Sequence, residues 1–191
     1  AIVVAGGLGS RMLPASLAIP KEILPLVDIP ALYHLIWEAL RAGATKIHLV
    51  ISPSKLGMEG PLFIKETVLN HLSSLRPDLP KLTLQPLPAG VELLVHVQEE
   101  AKGMADAVFT ASNTFNGPFL VLLGDNLLMD QHVDVKSISV DNASSASLQL
   151  VQRFNQVKGP IVGLKSVPES ELNRYGVVEL NGQLIIDIIE K

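Results

Sequence analysis

Cysteine is absent from the chain, which excludes disulfides and thiolate metal sites and fits a reducing compartment. No apolar run approaches the roughly 18 residues of a membrane helix, and no basic stretch precedes the first apolar segment, as a secretory leader requires. Positive charge is also scarce. Lys and Arg number 15 against 19 Asp and Glu, a net charge of -4, which argues against a general nucleic-acid surface and leaves any phosphate to be met by local cations. His34, His48, His71, His96 and His132 show no metal-ligand spacing. Ser, His and Asp form no recognisable nucleophile motif, and the chain holds neither an internal repeat nor a low-complexity segment. These absences predict a cytoplasmic protein without membrane or nucleic-acid partners.

What is present suffices for a core. Hydrophobic residues make up 48% of the 191 and charged residues 18%, too apolar for disorder and long enough for one α/β domain. Ile2 to Val4 reads as a short buried strand. Beyond Pro30, Leu32, Leu35, Ile36 and Leu40 fall on one helical face, with Gly43 as the stop. Lys46 to Ile51 has the continuous apolar character of a strand covered on both sides. Pro61 to Leu75 reads as a second helix, and Pro77, Pro80, Pro86 and Pro88 mark a loop. Val91 to Val97 is a strand, Gly103 to Ser112 a helix, and Phe119 to Leu123 a central strand. A helix follows from about Ser145 to Val157, stopped by Gly159-Pro160, then a strand from Ile161 to Val167. Gly176 to Leu180 and Leu184 to Ile189 flank Asn181-Gly182, a pair suited to a type I′ hairpin turn. The alternation predicts an α/β fold. It implies a doubly wound, mostly parallel, Rossmann-like sheet with helices on both faces and a late antiparallel hairpin, in a single domain over residues 1-191.

The most informative stretch is AGGLGSRMLPASLAIPKEILP, from Ala5 to Pro25. Gly6, Gly7 and Gly9 remove side chains where the first strand ends, so backbone N–H groups can turn toward an anion. The alternative is a plain glycine turn with a solvated Arg11. Arg11 supplies a forked cation and Lys21 a compact one, the latter bracketed by Pro20 and Pro25. A dinucleotide fingerprint fails because its third glycine position is Met12, and a Walker loop fails for want of Gly-Lys-Ser/Thr. Asp125 follows the last apolar strand through Gly124. There it serves either as a turn former or as a carboxylate presented at the sheet rim, where a hard ion such as magnesium takes one or two carboxylates with phosphate oxygens. Gln98 follows another strand and carries the donor and acceptor needed to read a pyrimidine edge.

Taken together, GGLGSRMLPASLAIPKEILPLVD, Gln98, AKGMADAV from Ala101, LLGDNLL from Leu122, YGVVE from Tyr175 and the terminal Glu190-Lys191 resemble, in order, the signature of the sugar-1-phosphate nucleotidyltransferases. The similarity is greatest to the bacterial-type UTP-glucose-1-phosphate uridylyltransferases. It implies a reaction between a nucleoside triphosphate and a sugar 1-phosphate that gives a nucleotide sugar and pyrophosphate. UTP and glucose 1-phosphate are the preferred pair. A thymidylyltransferase, or a catalytically weakened nucleotide-sugar-binding or regulatory domain, is the alternative. The resemblance implies catalytic roles for Arg11 and Lys21 and a nucleotide site of Gly6, Gly7, Gly9, Ser10, Gln98 and Gly103. It further implies a sugar-phosphate site of Gly176, Glu190 and Lys191, and a magnesium ion on Asp125.

The chain departs from that pattern at Ser16-Leu17, Ile29 and Met104-Ala105-Asp106. Two lysines are lost and a carboxylate is gained, which lowers the positive potential near the site. Ala1 begins inside a strand and Lys191 ends within a motif that continues in the family. Truncation at both ends is therefore expected, with a second magnesium-binding aspartate, the contacts of a possible homo-oligomer and full activity belonging to the missing C-terminal part. Asp130 is expected to point away from the site.

Overall fold

The computed structural model describes residues 1–63, 66–75, 77, 87–131 and 133–189. Its elements are β1 (Ile2–Val4), α1 (Ala15–Ala18), β2 (Pro25–Leu26), β3 (Ile29–Pro30), α2 (Ala31–Arg41), β4 (Lys46–Ile51), α3 (Glu66–Leu75), β5 (Glu92–Val97), α4 (Met104–Ala111), β6 (Val121–Leu123), α5 (Ala146–Val157), β7 (Val177–Asn181) and β8 (Leu184–Ile189). The chain forms two compact units, residues 1–160 and 161–191.

The first unit is built on a four-stranded parallel sheet in the order β5-β4-β1-β6. Register runs Ile2 to His48 and Ile2 to Val121, so β1 pairs in parallel on both sides. The chain winds outward from β1 to β4 and β5, then returns through α4 to β6 on the other flank of β1. That reversal is the crevice where doubly wound sheets take ligands. Side chains alternate across the sheet as the pleat demands. Ile2 and Val50 pack with Ala107 and Ala111 of α4, while Val3, Ile47, Leu49 and Ile51 pack with α2. Helices therefore cover both faces.

The sequence reading placed one face of α2 in the core, but every residue from Ala31 to Leu40 is buried. One side meets the sheet and another meets α5, whose start is tied to α2 by polar anchors. Glu38 Oε1 accepts from Ser147 N at 3.1 Å and from Ser147 Oγ at 2.5 Å, and Arg41 donates to the Ala143 carbonyl. Large side chains such as Trp37, Tyr33 and Leu32 are completely enclosed, each contributing about 1.5–3 kcal/mol by area.

Three expectations need correction. Phe119 to Leu123 is expected as a central strand, yet β6 spans only Val121–Leu123 and ends the row of strands among the described residues; its Leu122 is buried in the core cluster, so the strand's apolar character reports burial rather than two strand partners. Residues 161–167 form no strand, because the segment pairs with no other strand among the described residues and a strand is stable only through its ladder. In the second unit β7 and β8 pair antiparallel as a separate two-stranded sheet. Their two-residue loop is Gly182-Gln183 with Gly182 at φ 63°, and Asn181 closes β7 opposite Leu184. A glycine at the first central position suits type II′ rather than the expected I′ turn.

The helix read at Pro61 to Leu75 is a single turn at Gly60–Phe63 followed by α3. The proline-rich loop lies largely outside the described residues, between 78 and 86. At the end of α5 the left-handed residue is Lys158, not Gly159, and its ammonium lies 5.8 Å from the Phe154 ring centre.

Candidate active site

Loops leaving β1, β5 and β6 meet at the carboxyl edge of the sheet because the strand ladder continues one residue into each. Ala5 N donates to Val50 O at 2.8 Å, Gln98 N to Ile51 O at 2.8 Å, and Gly124 N to Val4 O at 2.7 Å. Backbone approach is closest at Gly124, where a Cβ would lie 3.0 Å from the Val4 carbonyl oxygen and 3.1 Å from the Ala5 Cα. A side chain there would force its neighbours to give by a few tenths of an ångström, and this tight crossing delivers Asp125 beside the glycine loop.

Lys21 sits on the single turn Lys21–Ile23, closed by Ile23 N to Pro20 O at 2.9 Å. Its ammonium lies 2.5 Å from Asp125 Oδ2 and 3.9 Å from Glu22 Oε1. It also faces the glycine loop: a Cβ on Gly7 would lie 3.6 Å from Nζ, and one on Gly9 would lie 3.3 Å from Lys21 Cδ and 3.1 Å from Ser16 Cβ. Gly9 has φ 68°, and its carbonyl accepts from Ser16 Oγ at 2.8 Å. Ser16 thus keeps a structural task at one of the positions where the sequence departs from the uridylyltransferase pattern. Ser10 and Arg11 lie exposed on the turn that follows. The hydrogen bond from Lys21 is the main influence holding the Asp125 carboxyl below its ordinary value of 3.8, against the opposing effect of burial, with a smaller contribution from Arg11.

Beneath the loop lies a cation that the sequence reading missed. Lys55 Nζ donates to the carbonyls of Ala5 and Gly7 at 2.6 Å each and to both carboxylate oxygens of Glu22 at 2.8 Å. Lys55 and Glu22 are both buried, so an ion pair satisfied on every side clamps the start of the glycine loop to the turn carrying Lys21. Nothing local marks Lys55 as buried. Its one hint is the adjacency of Glu22 to Lys21, which shows that this short stiff turn carries both a cation and a carboxylate.

Gln98 approaches from the β5 side. Its Oε1 lies 3.3 Å from the place a Cβ would take on Gly6, and its Nε2 donates to Gly103 O at 3.1 Å and Asp106 Oδ2 at 2.7 Å. Gly103 caps the start of α4. Asp130 is turned away as expected: its Oδ2 accepts from Ser145 N at 2.8 Å and Ser145 Oγ at 2.5 Å, ahead of α5. Gly176 precedes β7 in the second unit, where an added Cβ would lie 3.8 Å from the Ile189 carbonyl. Glu190 and Lys191 lie outside the described residues. The structure thus brings together Gly6, Gly7, Gly9, Lys21, Gln98, Gly103 and Asp125.

No group of three or more His, Cys, Asp or Glu among the described residues is placed to hold a metal. Asp125 is half-exposed at 54%, a single carboxylate whose donor set suits a hard ion shared with phosphate oxygens and water. A cavity of about 500 Å³ lies at the opposite end of the strands, around Lys46, His48 and Phe115. The glycine loop, Lys21 and Asp125 converge instead at the carboxyl edge, which makes that edge the candidate site. No described helix is long and apolar enough to cross a membrane.

The fold, the glycine loop and the meeting of Lys21 with Asp125 at the sheet edge give the chain a candidate site of α/β type. The family model described as nucleotidyl transferase matches residues 1–191, and the chain belongs to that family. It is 32% identical over 182 residues to the UTP–glucose-1-phosphate uridylyltransferase of Bacillus subtilis (strain 168), an alignment covering 94% of this chain and 58% of that protein. Among solved structures, UDP-glucose pyrophosphorylase from Acinetobacter baumannii superposes with TM-score 0.82 at 27% identity, covering all of this chain and 66% of that one. The UTP-bound enzyme from the same organism gives TM-score 0.82 at 26% identity, covering 100% of this chain and 66% of that one. The chain thus spans 58% of the length of the B. subtilis relative.

Proposed function

We propose that this chain carries the nucleotide site of a UTP-glucose-1-phosphate uridylyltransferase. The observation that carries the reading is the meeting of Lys21 and Asp125 beside the glycine loop, at the reversal of the winding. The names of its relatives supply the substrates: glucose 1-phosphate and UTP.

In the proposed reaction a phosphate oxygen of the sugar 1-phosphate attacks the α-phosphorus of UTP. The new P–O bond forms as the bond to the β-phosphate bridging oxygen breaks, and pyrophosphate leaves with the electron pair. Such transfer depends on positioning and charge neutralisation. The glycine-loop backbone would cradle the triphosphate, and the ammonium of Lys21 would stabilise charge on the reacting phosphates. Arg11, exposed on the turn that follows the loop, would meet the departing pyrophosphate. Asp125 would hold magnesium together with the phosphate oxygens, the ion adding positive charge there. Gly176, Glu190 and Lys191 are proposed for the sugar phosphate on the strength of the motif alone.

Pyrophosphate release, measured for a panel of nucleoside triphosphates against sugar 1-phosphates, tests this reading. UTP with glucose 1-phosphate should lead. Preference for dTTP would move the assignment to a thymidylyltransferase, and turnover with purine nucleotides alone would overturn it.

A further inference from the structure

Asp106 stands where the sequence departs from the uridylyltransferase pattern, and its carboxylate is spent on the residue placed to read the base. Gln98 Nε2 lies 2.7 Å from Asp106 Oδ2 and 3.1 Å from the Gly103 carbonyl. A carboxylate and a carbonyl can only accept, so the group facing them must be the amide NH2, and both of its hydrogens are used. Turned by 180°, the amide would set its oxygen against two other acceptors and lose both bonds. The orientation is therefore fixed by chemistry.

The consequence lies on the other side of the amide. Gln98 Oε1 faces the glycine loop beside Gly6, and no described residue donates to it. The side chain was read from sequence as a donor and an acceptor together, but in place it offers an acceptor only. Uracil carries a hydrogen at N3 and can donate to such a group. Cytosine carries a lone pair there and would meet it with repulsion and an unpaired polar atom.

We infer that Asp106 is a positioning residue for base selection: it locks the Gln98 amide with its oxygen toward the nucleotide, and so favours a pyrimidine with N3–H over cytosine. This rests on the uridylyltransferase reading for the presence of a pyrimidine nucleotide, and it adds the device that makes the choice. Asp106 is half-buried in the first turn of α4, a position where alanine is a good helix former.

The test is calorimetric binding of UTP and CTP to the purified protein and its variants, which needs no turnover. The wild-type protein should favour UTP. Asp106→Ala should shrink the UTP:CTP affinity ratio by roughly tenfold, the worth of one well-placed hydrogen bond. Asp106→Asn, whose side-chain oxygen can accept the same hydrogen, should retain the ratio within about threefold. Asp106→Ser, too short to reach Nε2, repeats the test should the alanine variant fold poorly. In a Gln98→Ala background, Asp106→Ala should change the ratio no further, because the two act as one unit. A merely structural role would weaken both nucleotides alike. An intact ratio in the alanine and serine variants, or an equal loss with and without Gln98, overturns the inference while leaving the uridylyltransferase reading in place. Failure of the wild-type protein to bind either nucleotide overturns both.

Discussion

Lys55 and Glu22 form a buried ion pair whose lysine also holds the carbonyls of Ala5 and Gly7. Their side chains are 7% and 0% exposed, so neither charge has water as an alternative partner. Removing one partner strands the other, at a cost of about 3–5 kcal/mol. Lys55→Met should therefore lower the denaturant midpoint sharply, and Glu22→Gln should do so less, since an amide oxygen still accepts. In the fraction that folds, Lys55→Met should also raise KM for UTP, because the glycine loop has lost its anchor. A Lys55→Met protein with unaltered stability would show that the clamp has no energetic role.

Lys21 contacts Asp125 rather than the core, so its removal should spare the fold and strike the chemistry. Lys21→Ala is expected to lower turnover by roughly two orders of magnitude or more, the usual loss for a charge-stabilising donor. The Asp125 carboxyl should titrate at higher pH in the same variant, since the Lys21 hydrogen bond is the first cause of its depression. Carbon-detected NMR of the aspartate carboxyls reads that shift directly. An unmoved Asp125 titration would mean that the pairing does not persist in solution.

Gly124 is the tightest crossing in the site. A methyl there would meet backbone at 3.0 and 3.1 Å and the Glu22 Cγ at 3.1 Å, contacts that backbone can relieve only by shifting. Gly124→Ala should cost about 1–3 kcal/mol, as overpacking does, and displace Asp125. Thermal unfolding together with magnesium-dependent turnover would register both, and a fully active, fully stable variant would refute the geometry.

Acid should weaken the protein in two stages. Burial, the leading cause in each case, lowers the titration of His34, His48 and His96 below the ordinary 6.5. Below that value the unfolded chain binds protons that the folded chain refuses, so stability falls as pH drops from 6.5 toward the folded values. Asp125 is depressed from 3.8, so its contribution is complete above that value and disappears at lower pH, as the folded carboxyl protonates. Glu38 acts in the opposite sense: burial raises it above 4.5, so its contribution fades as pH rises through its folded value. Melting temperature followed from about pH 8 down to pH 3 should show a decline beginning near 6.5. His48 and His96 stack and share a hydrogen bond at 3.0 Å. Replacing both with glutamine should flatten the first stage, and an unchanged profile would exclude the pair as its source.

Much of this was legible residue by residue. The apolar blocks at β1, β4 and β5, the stop at Gly43, the end of α5 at Val157 ahead of Gly159-Pro160, and the glycine loop ahead of Lys21 each carry their signal within a few neighbours. The period of 2 or 3.6 and the steric freedom of glycine are local properties. The misreadings have a common cause. Residues 161–167 have strand-like composition and no strand partner among the described residues, and β6 has a central strand's apolarity at the end of the described sheet, because composition reports burial and not who pairs with whom.

By itself, then, the sequence determined the kinds of element, the mostly parallel character of the sheet and the residue types offered at the strand ends. Only the tertiary structure decided that Lys21 meets Asp125 across 104 residues of chain, that Lys55 turns inward onto Glu22, and that Asp106 consumes the donor end of Gln98. Each of these depends on two segments closing a long loop onto the same small volume, where a buried charge or amide must satisfy every hydrogen-bonding atom it carries. That requirement acts between partners in space, and a one-dimensional pattern of residues does not contain it.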